Sequence, residues 1–211
     1  MSGEPARSDG GIAIVLPARD EADCVAQVIG ELRPWAERLG GVIAVGANGC
    51  RDATEGIARA HGVIVGETAT PGYGHGCLAA MAAVRGVGLR PGAWIFMAAD
   101  GANDPTELPR FVRAWRDGAD LVIGQRTLLA HNWPALGFVR AASNVALALW
   151  ASALAGYLYW DLGPYRLVSS ELASRLPWRE TTWGWTIEPQ VLARRLGARV
   201  RQVSVRERPR L

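Results

Sequence analysis

Residues 11–23 read GIAIVLPARDEAD, an apolar run that stops at a proline and opens into charge. A run of strand length with no polar residue on either face suits a strand covered by helices on both sides. Alternation is needed only where one face meets water. After the polar turn PARDEAD, residues 25–39 carry apolar side chains at helical spacing, with Pro34 marking a kink or break. The unit then repeats. Residues 42–45 and 63–65 read as short strands, 52–60 as a helix with Asp52 placed to cap it, and 75–87 as a small-residue helix after the turn PGYG. Residues 94–98 read as a fourth strand, 106–115 as a helix and 120–124 (DLVIG) as a fifth strand. Strand–helix alternation with short connections predicts an α/β fold: a single-domain, doubly wound, mostly parallel sheet flanked by helices. In such sheets ligands bind beyond the carboxyl ends of the strands. PARDEAD, GANGCRD, TATPGYG, AADGAND and GQR are therefore the segments where a site is expected.

The second half departs from simple alternation. Residues 141–160 (AASNVALALWASALAGYLYW) are nearly uncharged and close to the ~20 residues a membrane span needs. Ser143, Asn144 and Ser152 argue instead for a helix packed between sheet and surface, with Trp150, Tyr157, Tyr159 and Trp160 available to a membrane interface. A helix over 185–196 and an alternating strand over 199–205 follow. Residues 1–10 are polar, lack the apolar stretch of a signal peptide and are expected to be a disordered tail. One domain is expected over 11–211, with a nucleotide-binding half at 11–126 and an acceptor-side half at 127–211.

The chain has 211 residues and a formal net charge of +3, and all 23 basic residues are arginine. From Asp161 onward ten arginines face five acidic residues; before it thirteen face fifteen. Guanidinium forks suit phosphates, so the later region is expected to meet anions. No basic stripe interleaved with aromatics marks a nucleic-acid module, and none is expected as a partner. Cys24, Cys50 and Cys77 lack zinc or redox spacing, and so sparse a set suits a reducing, cytoplasmic compartment. A nucleotide-dependent dehydrogenase is disfavoured, because no G-x-G-x-x-G follows the first strand.

Seven motifs then occur in order: IVLPARDEA, IAVGANGCRDAT, PGYGHGCLAA, FMAADGANDP, DLVIGQR, DLGPYRL and GWTIEPQ. On these the chain resembles the bacterial family-2 glycosyltransferases of GT-A fold, in the subgroup related to dolichyl-phosphate mannose synthase. The resemblance runs from about residue 11 to 205. It implies transfer of a hexose from a UDP- or GDP-sugar, with inversion, to an acceptor such as a polyprenyl phosphate. It also implies Mg²⁺ or Mn²⁺ at Asp100, a location peripheral to the inner membrane face, and compatibility with a homo-oligomer. By the same resemblance Pro17, Ala18 and Glu21 line a nucleoside pocket, Asn48 faces the base, and Gly72, Tyr73 and Gly74 form a turn that approaches phosphate or base. The chain departs from the family where carboxylates are usual. Ala47 and Ala98 stand at two Asp positions and Ala102 at a Gln position, leaving Asp100 as the remnant of a D-x-D motif. The alternative reading is a non-catalytic relative that binds a nucleotide-sugar or a protein.

Arginines offer charge where the metal motif is thin. Arg126 follows the fifth strand, Arg140 begins the long helix, and Arg206, Arg208 and Arg210 lie in RERPRL. Arg126 is expected at the donor, Arg140 and Arg206 at a phosphate or acceptor. Asp161 and Glu188 are the candidates for a catalytic base, although a phosphate acceptor would need none. Asp104 reads as a helix cap before Pro105. His61, His75 and His131 form no motif. Trp178, Trp183 and Trp185 read as core aromatics that could also stack on a sugar.

Overall fold

The structure, a computed structural model, describes residues 10–126, 132 and 137–211; the side chains of Arg140 and Trp183 lie outside that description, as do His131 and nearly all of the 1–10 tail. The strands are β1 (Ile12–Ala18), β2 (Val42–Asn48), β3 (Ile64–Thr68), β4 (Ala93–Phe96), β5 (Leu121–Gln125), β6 (Arg166–Ser169) and β7 (Val200–Ser204). The helices are α1 (Val25–Arg38), α2 (Thr54–Ala60), α3 (Tyr73–Gly86), α4 (Leu108–Arg116), α5 (Phe138–Ala155), α6 (Ser170–Arg175) and α7 (Ile187–Arg195). Short 3₁₀ turns at Pro105–Glu107 and Trp183–Thr186 lead into α4 and α7.

The seven strands form one sheet in the order β3-β2-β1-β4-β6-β5-β7, parallel except for β6, which runs antiparallel to β4 and β5. The expected doubly wound, mostly parallel sheet is what the chain builds. Alternate residues of β1 explain its unbroken apolar run: Ile12, Ile14 and Leu16 pack under α1 and α4, while Ala13 and Val15 face α3. Pro34 sits inside α1, and the residue four back, whose carbonyl it cannot satisfy, is the exposed Gly30. The lost bond therefore falls on the exposed face of the helix.

Several expectations change. Asp20 has φ +55° in the turn before α1, and the N-cap Cys24 makes no side-chain capping bond; its thiol donates to Glu21 Oε2 at 3.1 Å. Asp52 stands two residues before α2, where its carboxylate accepts from Thr54 N at 3.0 Å. Asp104 caps as read, accepting from Thr106 N at 2.9 Å. β6 and α6 were not expected. β6 is four residues long and opens with a charged side chain, so it carries neither length nor alternation. The long apolar segment becomes α5 only to Ala155, where Gly156 takes the left-handed conformation at φ +61° and ends it. Among the described residues no helix is long and apolar enough to cross a membrane. Ala141, Ala148 and Ala151 turn inward from α5, and Phe138, Val139, Leu147, Leu149, Trp150 and Leu154 remain exposed.

Candidate functional site

The sheet reverses its winding between β1 and β4, and the loops beyond their carboxyl ends meet there. Pro17 and Ala18 are buried at the end of β1, in register with Gly46 and Ala47 of β2. The turn after β1 is tied to the turn after β2 by three bonds. Arg51 N donates to Asp20 Oδ1 at 2.7 Å, Ala22 N to Asp52 Oδ2 at 2.9 Å and Glu21 N to Thr54 Oγ1 at 2.8 Å. Asn48 joins a third segment. Its Nδ2 donates to Ala18 O at 2.9 Å, and its Oδ1 accepts from Gly72 N at 3.1 Å. The buried amide is thus spent on fixing the crevice rather than free to read a base.

The turn at Gly72–Gly74 is shaped by close approach. Gly74 N donates to Thr181 O at 2.9 Å, and a Cβ on Gly74 would lie 2.5 Å from Trp185 and 2.7 Å from the Thr181 Cα. Gly74→Ala is therefore expected to destabilise by ~1–3 kcal/mol through overpacking, read as a fall in urea midpoint with unchanged slope. The hydroxyl of Tyr73 is enclosed and has no hydrogen-bond partner among the described residues. Burial pushes its pKa up, with Asp100 and Arg126 among the charges that act on it.

Asp100 lies in the loop after β4, which Asn103 folds back by accepting from Ala98 N at 2.8 Å. Asp100 Oδ1 accepts from Ala102 N at 3.1 Å, and its Oδ2 holds Arg210 Nε at 2.9 Å. Arg210 belongs to a strap, residues 206–211, laid antiparallel along the loop. Arg208 N donates to Ala102 O at 2.8 Å, Leu211 N to Asp100 O at 3.0 Å, and Asn103 bridges Glu207. Arg208 also reaches Glu31 of α1 at 2.7 Å. Glu21 shares this cluster. Burial raises its pKa, its hydrogen bond with Cys24 lowers it, and Asp100 raises it further. Burial and the same Glu21 contact push Cys24 up to about 12.

A second cluster sits behind the strap. Arg126 is buried and forked onto Asp161, with Nε–Oδ2 at 3.0 Å and Nη2–Oδ1 at 2.8 Å, while Nη1 meets Glu207 at 3.3 Å. Asp161 is fully buried and also accepts from Arg126 N, Asn144 Nδ2 and Gly163 N. Burial is the largest single influence and raises its pKa, but the charge and hydrogen bonds of Arg126, with the bond from Asn144, together turn the net shift downward. Burial carries Glu207 upward despite Arg126. A carboxylate held by five donors cannot act as a base, so the expectation of Asp161 as one gives way to a role in positioning Arg126. Glu188 accepts from the backbone N–H of Arg179 at 3.2 Å and of Glu180 at 3.1 Å. It lines an apolar groove of about 760 Å³ with Trp150, Leu154, Ile187, Val191 and Leu192, rimmed by Arg175, Arg179 and Arg195.

Pro17, Ala18, Glu21, Asn48, Gly72, Tyr73, Gly74 and Asp100 are thus gathered in one crevice. Arg126 and Asp161 reach it through Glu207 and Asn103, and Glu188 faces the groove beyond the Trp185 loop. Arg206 is exposed in the strap, with its backbone N–H near Glu107 Oε1 at 3.4 Å. The strap's pairing with the Asp100 loop escaped sequence reasoning. Its partners stand more than a hundred residues apart, and the one hint is a basic RERPR facing an acidic AADGAND.

No protein-family model matches the chain. An uncharacterised glycosyltransferase of Mycobacterium tuberculosis is 28% identical over 204 residues, spanning 94% of this chain and 86% of the relative. A structure described as that of a mycobacterial protein superposes with a TM-score of 0.73 at 25% identity, over 96% of this chain and 68% of that one. Glucosyl-3-phosphoglycerate synthase from Mycobacterium tuberculosis, solved with Mn²⁺, UDP and phosphoglyceric acid, superposes with a TM-score of 0.74 at 24% identity, over 95% of this chain and 72% of that one. The same enzyme has been solved with Mg²⁺ and UDP, at a TM-score of 0.73. The metal of those neighbours does not find a matching cage here. Among the described residues no group of three or more His, Cys, Asp or Glu is placed to hold a metal ion, and Asp100 already carries a guanidinium. In sequence relatives and in fold, the chain is an enzyme of the glycosyltransferase type, built on the GT-A architecture.

Proposed function

We propose that the chain is a family-2, inverting hexosyltransferase that takes its sugar from a UDP-sugar and passes it to a polyprenyl phosphate or a similar phosphate-bearing lipid. The observation that carries the donor half is the crevice at the β1–β4 reversal, where Asn48 locks three loops together. It stands in a fold whose neighbours were solved with UDP and UDP-glucose. Pro17 and Ala18 form the floor for a nucleoside, and the Gly72–Gly74 turn lets a diphosphate approach the backbone closely. The enclosed Tyr73 hydroxyl is the unpaired donor beside it.

The acceptor half rests on two facts. Asp161 and Glu188 are both occupied by donors, so the site favours a nucleophile that is already anionic. The groove beside Glu188 pairs an apolar wall with an arginine rim, which suits a hydrocarbon body and a phosphate head. In the reaction an acceptor phosphate oxygen attacks the anomeric carbon from the face opposite the diphosphate. The new C–O bond forms as the bond to the diphosphate breaks, and UDP leaves. The exposed apolar side of α5 supports docking at the inner membrane face.

The test is a thermal-shift and turnover screen of UDP- and GDP-sugars with polyprenyl phosphate in vesicles. UDP-sugar is expected to raise Tm, and release of UDP is expected to require the lipid phosphate. If no nucleotide-sugar binds at millimolar concentration, the proposal fails. The non-catalytic reading is favoured by Ala47, Ala98 and Ala102; tight donor binding with no turnover on any acceptor would establish it.

A further inference from the structure

We propose that Arg210 is the resident cation of the donor site, so that the donor diphosphate is bound without a divalent metal. This rests on the donor reading above and concerns how that same site handles charge. A leaving diphosphate must be neutralised, and in the solved neighbours Mn²⁺ or Mg²⁺ accompanies UDP. Here the loop after β4 offers one carboxylate, with alanines at positions 98 and 102. That carboxylate is paired through Oδ2 with Arg210 Nε at 2.9 Å. A second cation drawn to Asp100 would be repelled by the guanidinium and would have to displace it.

The arginine is built in rather than incidental. Its neighbours in the strap are anchored on both sides, by Arg208 N to Ala102 O, Leu211 N to Asp100 O, Arg208 to Glu31, and Glu207 to Arg126 and Asn103. With Nε spent on Asp100, the two remaining NH₂ groups make no hydrogen bond or ion pair among the described residues, although the charge is felt by Glu21, and the side chain is 64% exposed. A guanidinium fixed at one edge and open at the other presents a fork of the geometry that phosphate oxygens accept. Lysine would supply the charge without the fork.

Calorimetry of UDP, GDP and uridine against the full chain, in EDTA and in Mn²⁺, decides it. Wild type is expected to bind UDP with affinities within about twofold in the two conditions. Arg210→Ala is expected to lose about tenfold or more for UDP in EDTA and nothing for uridine, which has no phosphate, with Mn²⁺ recovering part of the loss. Arg210→Lys should fall between. The side chain is exposed, so these variants keep the fold, which circular dichroism checks. The inference is overturned if wild type binds UDP only with Mn²⁺, if Arg210→Ala binds UDP like wild type in EDTA, or if uridine weakens as much as UDP. The donor reading survives all three. Failure of both UDP and GDP to bind under any condition sinks the two together.

Discussion

Asp161→Asn is expected to lower stability by ~3–5 kcal/mol, because it removes one partner of a buried pair and leaves Arg126 charged in the interior. At ~2–4 °C per kcal/mol for a chain of this size, the fall in Tm is roughly 6–20 °C. Its pH dependence has a definite sign. The folded pKa of Asp161 lies below its unfolded value, so its contribution is present above the unfolded pKa and is lost as pH falls through the folded one. The gap between wild type and variant should be constant near neutrality and close in acid, below the ordinary carboxylate range. Glu207 runs the other way. Its pKa is raised, so it favours the fold below its unfolded pKa, and that contribution fades as pH rises through the folded value. Urea melts of both proteins across this range check the two signs. A gap that stays open through acid would show that the fork is not the source of stability.

Trp185→Ala should cost a similar ~3–5 kcal/mol, as expected for a large aromatic removed from a core. Trp185 is almost fully buried, stacked on Trp178 at 4.7 Å between ring centroids and edge-on to Phe96 at 5.8 Å. It also closes against Gly74, so the same change loosens the turn at the donor crevice. Trp185→Phe is expected to recover much of the stability. The informative measurement is UDP affinity in both variants at a temperature where each is folded. Weaker binding in Trp185→Ala than in Trp185→Phe would show that the aromatic stack holds the turn in its binding shape.

How much of this was legible in the sequence depends on how far apart the interacting residues lie. β1 and α1 announced themselves, because an apolar run and a helical period are local signals. The crevice was legible too, since loops after parallel strands converge by topology alone. The arginine-rich later region was expected to meet phosphates; the partners it shows are this chain's own carboxylates. What could not be read was the use made of each polar group. Asn48 reads as a facing group for a base, yet its amide ties Ala18 to Gly72; Asp161 reads as a base, yet its carboxylate accepts from Arg126. Residue type and spacing show that a carboxylate is present, but only the count of donors around it shows whether it is free. β6 was missed for a related reason. Its Arg166 is wholly buried, bonded to Thr186 O at 2.7 Å and to Gln190 Oε1 at 3.3 Å, with burial lowering its pKa to about 10. A charged residue in the middle of a sheet is recognisable only once its partners are in place.

The placement of β6 sets an order of events during synthesis. β1, β2, β3 and β4 can pair as soon as residue 96 has been made, because each is a neighbour of an earlier strand. β5 cannot join them. It touches the sheet only through β6, which lies some forty residues further along the chain, and through β7 beyond that. Until β6 arrives, β4 presents an open, wholly apolar edge, Ala93–Phe96, of the kind that recruits other chains. The stretch of translation between β4 and β6 is therefore the interval in which that apolar edge has no partner strand, the condition under which chains of this size are most prone to associate wrongly.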